Sequence, residues 1–250
     1  MHARQTLDES LIVELIMQIR FRHPRMGGKK IYELFKEEIH KIDDEVGRDK
    51  FFDILRRHSL LVKRRKKYVS TTDSYHRFRV YKNQLKSKLL TNAHQAWVSD
   101  ITYLKTNKGF EYLFLITDAY SRKVVGWSLS DSLRIEGAVE ALQMAIKQCV
   151  NTTGVIHHSD RGIQYCSHEY VKVLRKNRML ISMTEDNHCY ENAIAERVNG
   201  ILKNEYGLDD IFKGNKHLFQ AVKEAIWLYN TERPHWSLKL CTPDQMHRAA

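Results

Sequence analysis

"AWVSDITYLKTNKGFEYLFLITDAYSRKVVGWSLS", residues 96–130, holds three blocks rich in β-branched and aromatic residues. "AWVSDITYLKT", "FEYLFLITDAY" and "KVVGWSLS" read as strands, and "NKG" supplies the turn between the first two. Blocks this close together are most simply joined as an antiparallel meander. Downstream, "RIEGAVEALQMAIKQC" spaces Val139, Leu142, Ala145 and Ile146 as a helix does. The strand "GVIHHSD", the helix "HEYVKVLRKN", the strand "LISMT" and a helix within "CYENAIAERVNGILKNE" follow in order. The order βββαβαβα predicts an α/β domain, a mixed sheet flanked by helices on both faces, given right-handed crossovers. If the fourth strand pairs beside the first, strand order reverses there, and ligands of open α/β sheets favour such a point. "VSDIT" would then lie next to the carboxyl end of "HHSD". A helix-rich tail, "NKHLFQAVKEAIWLYNTERPHWS", closes the chain.

The segment before the meander has a different texture. "TLDESLIVELIMQIRFRHP" sets Thr6 and Glu9 at capping-box spacing, puts Leu11, Leu15, Ile16 and Ile19 on one face and stops before Pro24. Gly27 and Gly28 precede a second helix with Ile31, Leu34, Phe35 and Ile39 inward, and a third carries Phe52, Leu55 and Leu60. Short helices ending in Lys63, Arg64, Arg65, Lys66 and Lys67 suggest a helix-turn-helix-like DNA-binding module over residues 1–67. Residues 68–92 read as a basic linker, and 93–250 as the α/β domain with its helical tail.

Charge divides the chain in the same place. Of 41 Lys plus Arg and 30 Asp plus Glu, residues 1–90 hold 22 and 12, a net +10, whereas residues 91–250 hold 19 and 18. A basic segment attracts polyanions, nucleic acid first and an anionic membrane surface second. Cys149, Cys166, Cys189 and Cys241 are scattered without a C-x-x-C pair, which argues against a disulfide framework or a zinc ribbon. Neither a signal peptide nor a run of about 18 apolar residues is evident, so a soluble cytoplasmic protein is expected.

Three carboxylates stand out chemically. Asp100 interrupts an apolar strand, where alternation puts it with Val98, Thr102 and Leu104, and a lone buried carboxylate is costly. Asp160 ends the fourth strand before "RG", a place where an Asx turn or helix cap is equally natural. Brought together, two such groups need a shared proton or a cation, and all-oxygen ligands favour Mg²⁺ or Mn²⁺. On the last core helix, at about 100° per residue, Asn192, Ala193, Asn199, Gly200 and Lys203 fall near Glu196. Glu191 and Glu205 lie with Ile194, Val198, Ile201 and Leu202, the core stripe. Glu196 alone looks out over a face able to hold a site. His157 and His158 are adjacent on a strand and point to opposite faces, so they do not share a metal. Trp97, Trp127 and Trp227 are expected to fill core.

"WVSDITYL", "HHSDRGIQY" and "CYENAIAERVNGILKNE" resemble the three blocks of the OrfB-type insertion-sequence transposase core of the IS3 family, within the retroviral integrase superfamily. Asn192, Ala193 and Glu196 match the third block, and 35 residues separate Asp160 from Glu196, the spacing that the family's acidic triad records. "YNTERPH", "TPDQM" and, more weakly, "MGGKKIYELF" add to the likeness. The resemblance implies an RNase H-like fold and a DDE transposase that cleaves DNA at element ends and joins it to a target. It implies Asp100, Asp160 and Glu196 as catalytic residues and ligands of two Mg²⁺ or Mn²⁺ ions. It also implies Lys203, with Asn192 and Asn199, as DNA-facing residues. The partners implied are DNA, further copies of the chain, and an OrfA protein or an OrfAB fusion, in a bacterial, nucleoid-associated setting. A DNA-binding protein with a degenerate or domesticated core, and an RNase H-like nuclease without joining activity, are the alternatives.

Overall fold

The computed structural model describes residues 2–62, 78–86, 88–185 and 192–249. Lys63–Lys67, Glu191, His188 and Cys189 lie outside these residues. The chain divides into two compact units, Met1–Tyr68 with Asn204–Gly207, and Val69–Lys203 with Leu208–Ala250.

Among the described residues, the first unit contains four helices, α1 (His2–Arg22), α2 (Gly28–Leu34), α3 (Lys36–Ile42) and α4 (Arg48–Arg57). Ile12, Ile16 and Ile19 of α1 meet Ile31, Ile39, Phe51, Ile54 and Leu55 in one apolar core. α1 begins at His2 and runs through Thr6, so Thr6 is not the cap its spacing suggested. Leu11, read as inward, is 43% exposed because the buried face is phased on the isoleucines. Glu9 instead ties α1 to α4, accepting from Arg57 Nη2 at 2.6 Å and facing His58 Nε2 at 2.9 Å. The second expected helix is two, since Phe35 departs from helical geometry (φ −115°, ψ 23°) and breaks it. Gly28 opens α2 where a Cβ would meet Leu55 Cδ1 at 2.5 Å, so glycine permits the close approach of α2 to α4.

The second unit is built on a sheet in the order β3-β2-β1-β4-β5. β1 (Ala96–Thr106), β2 (Gly109–Asp118) and β3 (Val124–Ser130) form the antiparallel meander, and Gly109, at φ +131°, makes the first turn. β4 (Ile156–Ser159) runs parallel to β1, and β5 (Leu180–Met183) parallel to β4, so strand order reverses beside β1 as anticipated. A two-residue strand, β6 (Ile211–Phe212), which the periodicity did not signal, adds to the far end of β1.

α5 (Ile135–Gln148), the short α6 (Ile163–Cys166) and α7 (His168–Lys176) contribute to the larger core with Trp97, Phe114, Ile116 and Val125. A Cβ on Gly126 would meet the Ala141 carbonyl oxygen at 2.2 Å, so β3 and α5 pack backbone to backbone there. α8 (Ala193–Glu205) contributes Ala195 to a second cluster with Ala96, Val98 and Ile156. α9 (Asn215–Thr231), a 3₁₀ turn (Trp236–Leu238) and α10 (Pro243–Arg248) complete the chain. Asn230 of α9 exchanges two hydrogen bonds with the Val124 backbone, at 2.9 Å each, and so pairs part of the open edge of β3. Trp97 is fully buried, but Trp227 is 51% exposed. With Trp127 and Met144 it lines a surface cavity of about 490 Å³. The helical period alone could not separate that position from a core-facing one. Among the described residues no helix is long and apolar enough to cross a membrane.

Candidate active site

The parallel ladder between β1 and β4 ends with the pair Val98–His158. Asp100 and Asp160 are each two residues farther on, one on either side of a strand spacing of about 4.8 Å. The two sequences thus carry one carboxylate each to the same corner of the sheet. Asp160 follows the last residue of β4, and its Oδ1 accepts the Gly162 N–H at 2.9 Å. The Asx-turn reading of Asp160 therefore holds together with its placement near Asp100.

Electrostatics register the crowding. Burial, then the charge of Asp160, then a smaller contribution from Glu196 raise the Asp100 carboxyl to about 7, against the opposing hydrogen bonds from Asn199 and the Ile101 backbone. Asn199 Nδ2 donates to Asp100 Oδ2 at 2.6 Å. Glu196 lies in the first turn of α8 and is exposed, while Val198, Ile201 and Leu202 are buried. The helix phase read from sequence therefore divides this face as expected for these residues.

Residues 91–189 match the family model described as "Integrase core domain", and residues 177–243 match a second model of the same description. The insertion element IS600 uncharacterized 31 kDa protein of Shigella sonnei is 32% identical over 243 residues, 96% of this chain and 88% of that protein. Transposase InsF for insertion sequence IS3A of Escherichia coli (strain K12) is 38% identical over 152 residues, 60% of this chain and 53% of that one. The chain belongs to the IS3 transposase family. The fold has solved counterparts at lower identity. The HTLV-2 integrase catalytic core domain in complex with magnesium (trimeric form) aligns with a TM-score of 0.50 at 21% identity, covering 62% of this chain and 97% of that one. A chain of the simian T-cell lymphotropic virus intasome in complex with PP2A regulatory subunit B56 gamma aligns at 0.55 and 16%, covering 90% and 75%. The second unit of this IS3-family chain is accordingly an RNase H-like integrase core.

The remaining motif residues of the IS3 blocks take up distinct places. Lys203, two turns after Glu196, is half-buried with its ammonium 4.4 Å from the centre of the Tyr103 ring. Burial pushes its pKa down, and the charges of Asp100 and Asp209 push it back up. Asn192 and Asn199, set toward DNA in the sequence reading, are both buried and turn their amides onto β1. Asn192 Nδ2 donates to the Ser99 carbonyl at 3.1 Å, as Asn199 does to Asp100. Their Oδ1 atoms have no hydrogen-bond partner among the described residues. His157 and His158 diverge as strand alternation requires. His157 Nε2 lies 2.7 Å from Ser99 Oγ and 2.8 Å from Tyr170 Oη, and His158 Nδ1 lies 2.8 Å from Ser182 Oγ.

Sequence reasoning missed Ser99 and Tyr170. Alternation does put Ser99 on the face opposite Asp100, but no local signal pairs residue 99 with 157 and 170. Among the described residues, no three His, Cys, Asp or Glu side chains are grouped so as to hold a metal ion as they stand. The donor set itself suits a hard cation. It offers carboxylate oxygens, a carboxyl whose charge its neighbours oppose, and the unpartnered Oδ1 of Asn199 beside it.

Proposed function

We propose that the chain is a DDE transposase that cleaves DNA at insertion-sequence ends and joins the freed 3′ ends to a target phosphodiester, with Asp100, Asp160 and Glu196 as its catalytic carboxylates. The observation that carries this reading is that Asp100 and Asp160 sit two residues beyond the last pair of the β1–β4 ladder, beside α8, which carries Glu196 and bonds Asp100 through Asn199. Burial first, and the Asp160 and Glu196 charges after it, disfavour the charged form of Asp100, which a bound cation would favour.

Asp100, Asp160 and Glu196 would hold two Mg²⁺ or Mn²⁺ ions. When bound, the ions supply activation of the attacking oxygen and charge neutralisation at the leaving oxygen. A water or a DNA 3′-hydroxyl attacks the phosphorus in line. The new P–O bond forms as the bond to the departing 3′ oxygen breaks; the attacking oxygen gives up a proton to solvent, and the departing 3′ oxygen takes one up. Asn199 holds one oxygen of Asp100 by its 2.6 Å hydrogen bond, which orients the carboxylate's other oxygen. Lys203, stacked on Tyr103, offers an ammonium to a backbone phosphate of the element end. Lys63, Arg64, Arg65, Lys66 and Lys67 would add non-specific attraction for DNA. Two or more copies would act on paired ends, alone or with an upstream OrfA partner, in the bacterial cytoplasm at the nucleoid.

Oligonucleotides carrying the element ends, incubated with Mg²⁺ or Mn²⁺, test the proposal. Cut and joined products are expected from the wild-type chain, and neither from Glu196→Gln, which should still fold and bind DNA. Joining by Glu196→Gln at the wild-type rate would remove the triad. Cleavage without joining would favour the nuclease, and DNA binding without chemistry a degenerate core.

A further inference from the structure

Three carboxylates on β1, at the end of β4 and on α8 can act together only if these elements keep a fixed spacing. Ser99 sits where they meet. It is fully buried, and on the face of β1 away from Asp100 its Oγ lies 2.7 Å from His157 Nε2 of β4. Tyr170 Oη of α7 lies 2.8 Å from the same nitrogen. The carbonyl of Ser99 accepts the Asn192 amide at 3.1 Å, one residue before α8 begins. One residue thus reaches His157 of β4 through its hydroxyl, Tyr170 of α7 through that histidine, and the start of α8 through its backbone. Its chain neighbour Asp100 takes the Asn199 bond farther along α8.

We infer that Ser99 is a positioning residue that sets the spacing of Asp100, Asp160 and Glu196, acting through His157, Tyr170 and Asn192. The inference rests on the reading of those carboxylates given above. Directional bonds among buried groups specify position more narrowly than apolar packing, which accepts many similar arrangements. An alanine at 99 would pack in the same space. It would leave β1 free to shift against β4 and α8 by the few tenths of an ångström that metal coordination does not tolerate. Residues that orient metal ligands from behind typically change metal affinity about 10–100-fold when altered.

Mn²⁺ binding by the full-length protein, followed from the electron-paramagnetic signal of the free ion, tests this without relying on turnover. Ser99→Ala is expected to weaken Mn²⁺ binding about tenfold while DNA binding and near-ultraviolet dichroism stay as in the wild type. Tyr170→Phe, which removes only the hydroxyl at the hub, should shift affinity the same way by a smaller factor. Ser99→Thr, which keeps the hydroxyl, should restore most of it. Folded Ser99→Ala and Tyr170→Phe proteins with wild-type Mn²⁺ affinity would overturn the inference. If Ser99→Ala fails to fold, Tyr170→Phe decides. Asp100→Asn separates the two levels: if it too binds Mn²⁺ like the wild type, or if the wild type binds none, the assignment of the carboxylates fails first.

Discussion

Asp100→Asn should make the metal-free protein more stable, even though it removes a proposed catalytic group. The carboxyl sits at about 7 in the folded chain, against 3.8 for an unperturbed aspartate. At 1.36 kcal/mol per unit, that difference sets a ceiling of about 4 kcal/mol on what the charged form costs the fold at high pH. Relaxation and water entry around a side chain that keeps some exposure reduce this to an estimated ~1–3 kcal/mol. Between pH 4 and 7, roughly, the folded chain holds a proton on Asp100 that the unfolded chain has released, so the contribution of this group to wild-type stability falls as pH rises through that window. The asparagine carries no charge and can still accept the Asn199 hydrogen bond. At pH 8 in EDTA its thermal midpoint should therefore exceed the wild type's by several degrees, at about 2–4 °C per kcal/mol for a domain of this size. The advantage should vanish near pH 4. Adding Mn²⁺ should raise the midpoint of the wild type and leave the variant's nearly unmoved, because ligand binding stabilises only a state that binds. Thermal unfolding by circular dichroism at pH 4, 6 and 8, with and without the ion, reads all of these. A variant less stable than the wild type at pH 8 in EDTA, or a gain indifferent to pH, would refute the argument.

Acid should loosen the C-terminal helix. His247 Nδ1 lies 2.9 Å from Ser121 Oγ and its Nε2 lies 3.2 Å from His94 Nε2, and burial first of all pushes its pKa down to about 4. The unfolded histidine takes up a proton near 6.5 that the folded one refuses, so the His247 contribution to stability should fall by ~1–2 kcal/mol as pH drops from 6.5 to 4, opposite in sign to that of Asp100. The gap between wild-type and His247→Gln urea midpoints, compared at pH 7 and 5, isolates it. Gly126→Ala should destabilise by ~1–3 kcal/mol, since the new Cβ meets a backbone carbonyl at 2.2 Å; an unchanged urea midpoint would show that α5 can move away. Lys203→Met keeps the packing on Tyr103 and should weaken binding to element-end DNA. The slope of log affinity against log salt should fall by about 0.9, and an unaltered slope would remove the lysine from the phosphate contacts.

The sheet could be read from sequence because its information is local and periodic. β-branched blocks, one tight turn and three helical stretches at short intervals leave few right-handed arrangements, and the switch point beside β1 follows from them. Asp100 and Asp160 stand out as candidates by the same logic, as polar residues placed where a strand pattern calls for apolar ones or ends. Helix phase singles out Glu196 as the third candidate. Errors arose where period does not report which side a neighbour covers. Leu11 and Trp227 carry the right residue types at the right spacing, yet Leu11 is 43% exposed beside a face phased on the isoleucines, and Trp227 is half-exposed at a surface cavity beside Trp127 and Met144. Phe35 reads as a continuing helix because its residue type permits one; the break is a backbone choice with no sequence mark.

The asparagines of α8 show a subtler limit. Phase alone put Asn192 and Asn199 beside Glu196, and a polar face beside a carboxylate suggests a surface open to DNA. The structure keeps the phase and changes the meaning, because β1 lies close enough for both amides to reach it. A strand that brings a charged residue into a sheet also brings backbone and side-chain acceptors that something must satisfy. Asparagine can donate from Nδ2 and still present Oδ1. The polar helix face thus serves the carboxylate by holding its strand, and the group left facing outward on it is Glu196. A face that looks like a ligand-binding surface by composition can be the inner side of the site's own framework. Only a partner strand, placed by residues about a hundred positions away, distinguishes the two.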